Sequence, residues 1–350
     1  MRNLRPLIII GLLCLAWSLA TPAEAASGKA HAQVLRRIGP SDAVMLADPD
    51  GRVIVAKNID LPLVPASILK IFTALVVLDS LGVDFQYTTE FYRDNLGDLT
   101  IKGYGDPLLI SEVVADISKR LAGVISDQAP FNNLRLDESY FVKPLTIPGV
   151  SATSQPYDAP NGALCVNFNT VNFKRFKNRY VSAEPQTPLI PFALDRIKQN
   201  RATRGRVVLS RIENENTLYA GELFRYFLEK EGIRFNGTVK IGRTRSADRL
   251  ILTYRSPYRL TDIIAKMLEH SNNFITNQLL ITAGISTQLA PGSLDKGVRS
   301  ARRYAADRLG LQNLDIVEGS GISRRNRISA RQMMAVLKQF EPHHRLMRQD

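Results

Sequence analysis

The chain has 350 residues, 45% of them apolar and 23% charged. That mixture is too apolar for a disordered chain, and the length allows more than one domain. A formal charge of +13 calls for an anionic partner, but the basic residues are scattered, with only small clusters at Arg201–Arg206 and Arg299–Arg303. No aromatic residues interleave them, so nucleic acid is not the expected partner.

Residues 1–25 have the three parts of a secretory leader. Arg2 and Arg5 give a positive start, Leu7 to Ala20 is an apolar run too short for a bilayer span, and Ala23-Glu24-Ala25 is a small-x-small cleavage site before Ala26. Leu13 stands before Cys14, where a lipoprotein signal wants a small residue, so lipidation is not expected. The mature chain is expected to be exported to the periplasm. Losing Arg2, Arg5 and Glu24 leaves it at about +12, which suits an anionic wall polymer or cell surface. It keeps one cysteine, Cys165, so no internal disulfide is available.

Ala43–Ala47 and Val53–Ala56 read as strands joined by the turn Asp48-Pro49-Asp50-Gly51. A helix is predicted from Ser67 to Leu81, stopped by Gly82. From about Thr88 the segments shorten and turn residues multiply. Leu99–Lys102, Leu134–Leu136 and Val207–Ser210 are strand candidates, and Pro144–Pro160 reads as loop. This middle part is expected to be β-rich and only lightly helical. Helices resume at Tyr219–Glu231, at Leu260–Glu269 with Thr261 as its cap, at Phe274–Ala283, at Ser293–Leu309 before Gly310, and at Ala330–Phe340 capped by Ser329. A hairpin and an apolar helix, a β-rich interruption and a helical close suggest an α/β domain split by an insertion.

Several chemistries find no support. The four histidines (His31, His270, His343 and His344) form no HExxH and join no Cys/His cluster, so neither a zinc site nor any cofactor is expected. There is no GxSxG elbow and no histidine context for a Ser-His-Asp triad. Gly103-Tyr104-Gly105 lacks the third glycine of a dinucleotide fingerprint and reads as a turn.

One feature of the apolar helix stands out. Lys70 lies three residues after Ser67, on the same helical face, among Ile68, Leu69, Ile71, Phe72, Leu75 and Val76. Burial lowers the pKa of a lysine, and a neutral amine beside a serine is a general base for a nucleophile. The bland alternative is a serine that caps the helix and a lysine that snorkels to solvent. The apolar surround, which leaves Lys70 no polar face, favours the first reading. A second element is Ser271-Asn272-Asn273, between two helices. The Ser271 hydroxyl can relay a proton to a leaving amine, and the Asn273 amide can hold a substrate carbonyl or orient the lysine. Taken alone, it is an ordinary helix-breaking turn.

SxxK followed by SxN is part of the signature of penicillin-binding proteins and class A β-lactamases. The chain resembles the class C penicillin-binding proteins, the D-alanyl-D-alanine carboxypeptidase/endopeptidase family, over most of its mature length. The resemblance is carried by Pro65-Ala66-Ser67-Ile68-Leu69-Lys70, Lys102-Gly103-Tyr104-Gly105-Asp106-Pro107, Leu136-Asp137-Glu138-Ser139-Tyr140-Phe141, Pro156-Tyr157-Asp158-Ala159-Pro160, Ser271-Asn272-Asn273 and Gly319-Ser320-Gly321-Ile322-Ser323-Arg324. It implies a β-lactamase/transpeptidase-like α/β domain, an antiparallel sheet flanked by helices, at 26–88 and 215–350, split by a β-rich insertion at 89–214. It also implies a serine acyltransferase in which Ser67 attacks the carbonyl between two D-alanines, Lys70 takes its proton, and Ser271 and Asn273 assist the leaving amine and hold the substrate. The Ser67 N–H would form half of an oxyanion hole. The implied partners are peptidoglycan stem peptides, with β-lactams as covalent inhibitors; peripheral membrane association stays open.

The chain departs from the family pattern in one respect. The third motif, Lys-Thr-Gly or Lys-Ser-Gly on an edge strand, does not follow Arg324; Lys296-Gly297 comes too early and lacks the middle residue. The expectation is a chain truncated before that motif and the last strands. The alternatives are a catalytically impaired relative that binds cell wall without turnover, and a β-lactamase-like hydrolase, which the long insertion disfavours.

Overall fold

The computed structural model describes residues 31–125, 129–200 and 203–347. The leader at 1–25 lies outside the described residues. By contact the chain divides into two units, one ending at Leu61 and one beginning at Pro62.

In the first unit, residues 31–37 are helical, and β1 (Val44–Ala47) pairs antiparallel with β2 (Val53–Lys57), Leu46 facing Val55. The expected turn closes them. Gly51 has φ 87°, and the Asp48 carboxylate accepts the Arg52 N–H at 2.7 Å. Lys57 fastens β2 to the preceding segment by donating to the Leu35 and Ile38 carbonyls at 2.9 and 2.5 Å.

The second unit holds two hydrophobic cores. The first forms around α1 (Leu69–Leu81), whose residues from Leu69 to Leu78 are all buried. A helix apolar on every face needs neighbours on every face. Those neighbours include α5 (Leu260–Glu269), α6 (Asn273–Gln288), α7 (Leu294–Leu309) and α8 (Ala330–Phe340). The second core lies under a five-stranded sheet of order β10-β3-β4-β5-β9. Its strands are β3 (Thr88–Arg93), β4 (Leu99–Gly103), β5 (Leu134–Asp137), β9 (Val239–Ile241) and β10 (Arg249–Arg255). The pairs β10/β3 and β3/β4 are antiparallel, while β4/β5 and β5/β9 are parallel. A parallel pair needs a crossover, which α2 (Ser111–Val124) provides between β4 and β5, and α4 (Glu215–Lys230) lies between β5 and β9 in sequence. A three-stranded antiparallel sheet of order β7-β6-β8 joins this core, with α3 (Pro191–Asn200) on the same stretch of chain. Its strands are β6 (Thr170–Phe176), β7 (Arg179–Ser182) and β8 (Arg204–Val208).

The mixed α/β character is as the sequence implies. Two differences stand out. The middle part carries the helices α2 and α3, so it is more helical than its turn-rich texture suggested. The five-stranded sheet also runs on to Arg255, past residue 214, where the sequence reading ended the β-rich insertion. Of the two caps that the side chains predict, Ser329 holds and Thr261 does not. Ser329 and Gln332 form a reciprocal capping box, with bonds of 3.2 and 2.8 Å, and Ser293 caps α7 at 3.3 Å. Thr261 is not a cap, because α5 begins at Leu260 and Asp262 reaches back to the Arg259 N–H at 2.9 Å. Among the described residues no helix is long and apolar enough to cross a membrane.

Two glycines bring α6 and α7 into backbone contact. A methyl group added to Gly297 would sit 2.4 Å from the Leu280 carbonyl oxygen, and one on Gly284 would sit 2.5 Å from the Gly297 nitrogen. Around Gly123 in α2, by contrast, nothing lies within 4 Å of that position. Gly297→Ala is expected to destabilise the protein by about 1–3 kcal/mol through forced separation of the helices. Gly123→Ala should stabilise it by about 0.5–1 kcal/mol through loss of unfolded-state freedom. Denaturant melts of the two variants check this pair, and equal midpoints would contradict it.

Candidate active site

Three segments far apart in sequence meet at the N-terminal end of α1. The first begins with Pro65, which is buried, and Ala66, which has φ 49°. Residues Ala66–Ile68 form a tight 3-10 turn, and the α-helix starts only at Leu69. Ser67 therefore stands on the turn that leads into α1 and not on the α-helix itself. It is exposed, and at a helix start the backbone N–H groups have no intrahelical acceptor. Ile68, expected to be part of an apolar surround, is half exposed at the rim; Leu69, Ile71, Phe72, Leu75 and Val76 are buried.

The second segment is the loop Glu318–Ser323, which lies against this turn. Gly321 has φ 82°, and a methyl group there would come within 1.8 Å of the Ala66 carbonyl oxygen, so no other residue allows the approach. Thr73, one turn along α1 from Lys70, donates to the Gly319 carbonyl at 2.7 Å. The third segment is the start of α6. Asn272 caps it by accepting the Ile275 N–H at 3.0 Å, which leaves Asn273 as its first residue.

Lys70 is the point where the three segments join. Only 1% of it is exposed, and its Nζ donates to the Ser67 Oγ at 3.1 Å, to the Asn273 Oδ1 at 2.8 Å and to the Ser320 carbonyl at 2.8 Å. Three acceptors match the three protons of an ammonium. Burial lowers its pKa to about 8, and the negative charge of Glu318 opposes that shift. The Asn273 amide is oriented by the same contact. Its oxygen accepts the hydrogen bond from the lysine, which leaves Nδ2 to donate to the Tyr157 carbonyl at 3.5 Å. Ser271 lies two residues before Asn273 on the same turn. It is exposed, its φ is 47°, and its hydroxyl makes no side-chain bond to Lys70 or Ser67.

Of the four residues singled out in the sequence, Lys70 thus bonds both Ser67 and Asn273, while Ser271, two residues before Asn273, makes no side-chain bond to any of them. Sequence reasoning missed the Ser320 carbonyl as a lysine ligand, and it missed Glu318. An acidic residue immediately before Gly319-Ser320-Gly321 was the available signal. Among the described residues no cluster of His, Cys, Asp or Glu is gathered to hold a metal ion.

The sequence profile of the D-Ala-D-Ala carboxypeptidase 3 (S13) family matches residues 41–206 and 201–348. The D-alanyl-D-alanine carboxypeptidase of Actinomadura sp. (strain R39) is 26% identical over 352 residues, an alignment covering 85% of this chain and 64% of that protein. D-alanyl-D-alanine carboxypeptidase DacB of Haemophilus influenzae is 30% identical over 123 residues, covering 34% of this chain and 25% of that protein. The chain thus spans less than two thirds of the length of these curated relatives. The crystal structure of penicillin binding protein 4 (dacB) from Haemophilus influenzae superposes with a TM-score of 0.71 at 20% identity, covering 90% of this chain and 79% of that one. The same protein complexed with a β-lactam gives 0.66 at 20% identity, covering 90% and 78%. These likenesses show the transpeptidase-like α/β fold with an insertion that the motifs implied. The profile match extends over nearly all of the described residues, and the chain belongs to the D-Ala-D-Ala carboxypeptidase 3 (S13) family.

Proposed function

We propose that this chain carries the acylation machinery of a serine-type D-alanyl-D-alanine carboxypeptidase or endopeptidase acting on peptidoglycan stem peptides. The observation that carries this reading is the Lys70 Nζ, buried and 3.1 Å from the exposed Ser67 Oγ. A snorkelling surface lysine would have its head in water; this one has its head in the site.

The chemistry follows from the proton count. With an amine titrating near 8, roughly a tenth of the molecules at pH 7 carry a neutral Lys70. In that form the amine accepts the Ser67 proton as Oγ attacks the carbonyl carbon between the two D-alanines. The C–N bond then breaks, and the leaving amine takes up the proton that Lys70 received from Ser67, with Ser271 the residue that would relay it, so that Lys70 is again neutral. Free D-alanine departs, or in endopeptidase mode the other strand of a cross-link. Water, deprotonated by the same lysine, hydrolyses the Ser67 ester and restores the hydroxyl. Asn273 would present its Nδ2 to a substrate carbonyl, since its oxygen is already committed to Lys70. The leader expected at 1–25 and the basic mature chain support periplasmic export and work on an anionic wall.

β-lactams mimic the D-Ala-D-Ala carbonyl, and the Haemophilus relative was solved with one bound. A fluorescent penicillin is expected to form a covalent adduct that mass spectrometry places on Ser67, and Ser67→Ala should form none. Lys70→Met should slow acylation by about 10²–10⁴-fold. A folded protein that forms no adduct would overturn the enzymatic reading and favour a relative that binds wall without turnover.

The lowered lysine pKa also sets a pH dependence. Acylation should rise as pH climbs through about 8, because the neutral amine is the active form. The same shift costs stability. Below pH 8 the folded protein holds a charge that burial disfavours. Between 8 and the ordinary value of 10.5 the unfolded chain binds more protons than the folded one, so stability rises with pH there. Relative to Lys70→Met, the wild type should gain about 3 kcal/mol of unfolding free energy between pH 7 and pH 11. Denaturant melts at the two pH values test this, and a constant difference would contradict it.

A further inference from the structure

Glu318 is fully buried, and every group that bonds its carboxylate is neutral. Oε2 accepts the Ser320 N–H at 2.7 Å, the Ser320 hydroxyl at 2.6 Å and the Asn277 amide at 3.2 Å. Oε1 accepts the Gly321 N–H at 2.8 Å, the Ser323 N–H at 3.3 Å and the Asn326 amide at 2.6 Å. The two amides are held in turn, because Asn277 Oδ1 accepts the Gly319 N–H at 2.9 Å and Asn326 Oδ1 accepts the Val317 N–H at 2.8 Å. So the backbone from Val317 to Ser323 is wound around one carboxylate. Ser320 connects this anion to the lysine. Its N–H and hydroxyl point to Glu318, and its carbonyl accepts from Lys70.

A buried anion ringed by neutral donors and a buried ammonium ringed by neutral acceptors are each costly alone. Here they share a residue. The other groups that face Lys70 are uncharged: Ser67 from the turn before α1, and Asn273 from the start of α6. His270 and Glu269, at the end of α5, pair with each other at 3.2 Å and are exposed, as is Arg324 beyond the loop.

We propose that Glu318 is a positioning residue for Lys70: its carboxylate shapes the Val317–Ser323 loop so that the Ser320 carbonyl meets Nζ, and its charge is the buried counterion of that amine. Glu318 touches no reacting atom in this scheme. It acts by setting how readily Lys70 gives up and regains a proton, and it rests on the reading of Lys70 as the proton acceptor for Ser67.

The two possible roles of Glu318 move one observable in opposite directions. If Glu318 is the counterion, replacing it by a neutral group lowers the proton affinity of Lys70. If it only holds the loop together, its loss admits water and raises that affinity toward an ordinary lysine. The experiment is an NMR titration of the full chain labelled with ¹³C at lysine Cε, with the Lys70 signal identified by its loss in Lys70→Met. In Glu318→Gln the Lys70 midpoint is expected to fall by about one pH unit, and in Glu318→Asp, which restores the charge, to return toward the wild-type value. An unchanged or raised midpoint in folded Glu318→Gln overturns the proposal. Should Glu318→Gln fail to fold, the wild type decides. With ¹³C at glutamate Cδ, the Glu318 signal must inflect at the Lys70 midpoint and lose that inflection in Lys70→Met; no inflection overturns the proposal. Neither readout needs turnover. A protein that acylates on Ser67 while its Lys70 ignores Glu318 defeats this inference alone, and one that never acylates defeats the enzymatic reading and leaves the titration to judge Glu318.

Discussion

The site depends on one buried ammonium. Lys70 is placed at the start of a helix whose every face is needed for the core, and with 1% of it exposed its stem cannot swing to solvent without leaving a void where it now packs. A charge held there must have all three of its protons accepted. The acceptors come from the turn before α1, the first residue of α6 and the loop at Ser320. The requirement that stabilises the lysine is therefore also the requirement that assembles the site. Each acceptor arrives on a separate segment, and none can shift without leaving a proton unpaired.

Much of this arrangement is legible in the sequence, and what is not has a physical reason. The apolar run from Leu69 to Leu78 announces a helix buried on all sides, so a lysine within it is conspicuous. The i, i+3 spacing to Ser67 then predicts their contact, although Ser67 proves to stand on a 3-10 turn. The 3-10 turn begins at Ala66, with φ 49°, and the Gly321 backbone packs against the carbonyl of that residue; no local propensity encodes a partner so far along the chain. Helix α2 was hidden in another way. Val113, Val114, Ile117 and Leu121 keep helical spacing, but the segment follows the turn-rich Gly103–Pro107, whose texture suggested more of the same. Strand β9, three residues long and partly exposed, owes its existence to parallel pairing with β5 and has no signal of its own. Nothing in the sequence marks Glu318 as buried, because its burial depends on Asn277 and Asn326, donors that only the fold delivers.

The two cores of the second unit divide the work. Ser67, Lys70, Asn273 and the 318–323 loop all belong to the helical core around α1. The sheets under the other core contribute no side chain to the lysine. Their connection to the site is indirect, and one part of it runs through Gln278, fully buried on α6. Its Nε2 donates to the Gly105 and Gly162 carbonyls at 3.0 and 2.9 Å, and its Oε1 accepts the Asn161 amide at 3.0 Å. The same Asn161 amide donates to the Phe274 carbonyl at 2.9 Å.

That joint has a consequence for how the site can vary. The segment from Pro156 to Gly162 is held against α6 just beyond Asn273, and the Tyr157 carbonyl faces the amide of that asparagine. Tyr157 itself is half exposed, whereas Lys70 is buried in the core. Lys70 and Asn273 sit on helices, where a displacement would cost core contacts. Tyr157 sits on a loop anchored by hydrogen bonds to α6. A fold built this way fixes Asn161, whose side-chain amide is part of the anchor at Gln278, and leaves side-chain variation on the loop to exposed positions such as Tyr157, where a change leaves the contacts of Lys70 with Ser67 and Asn273 untouched.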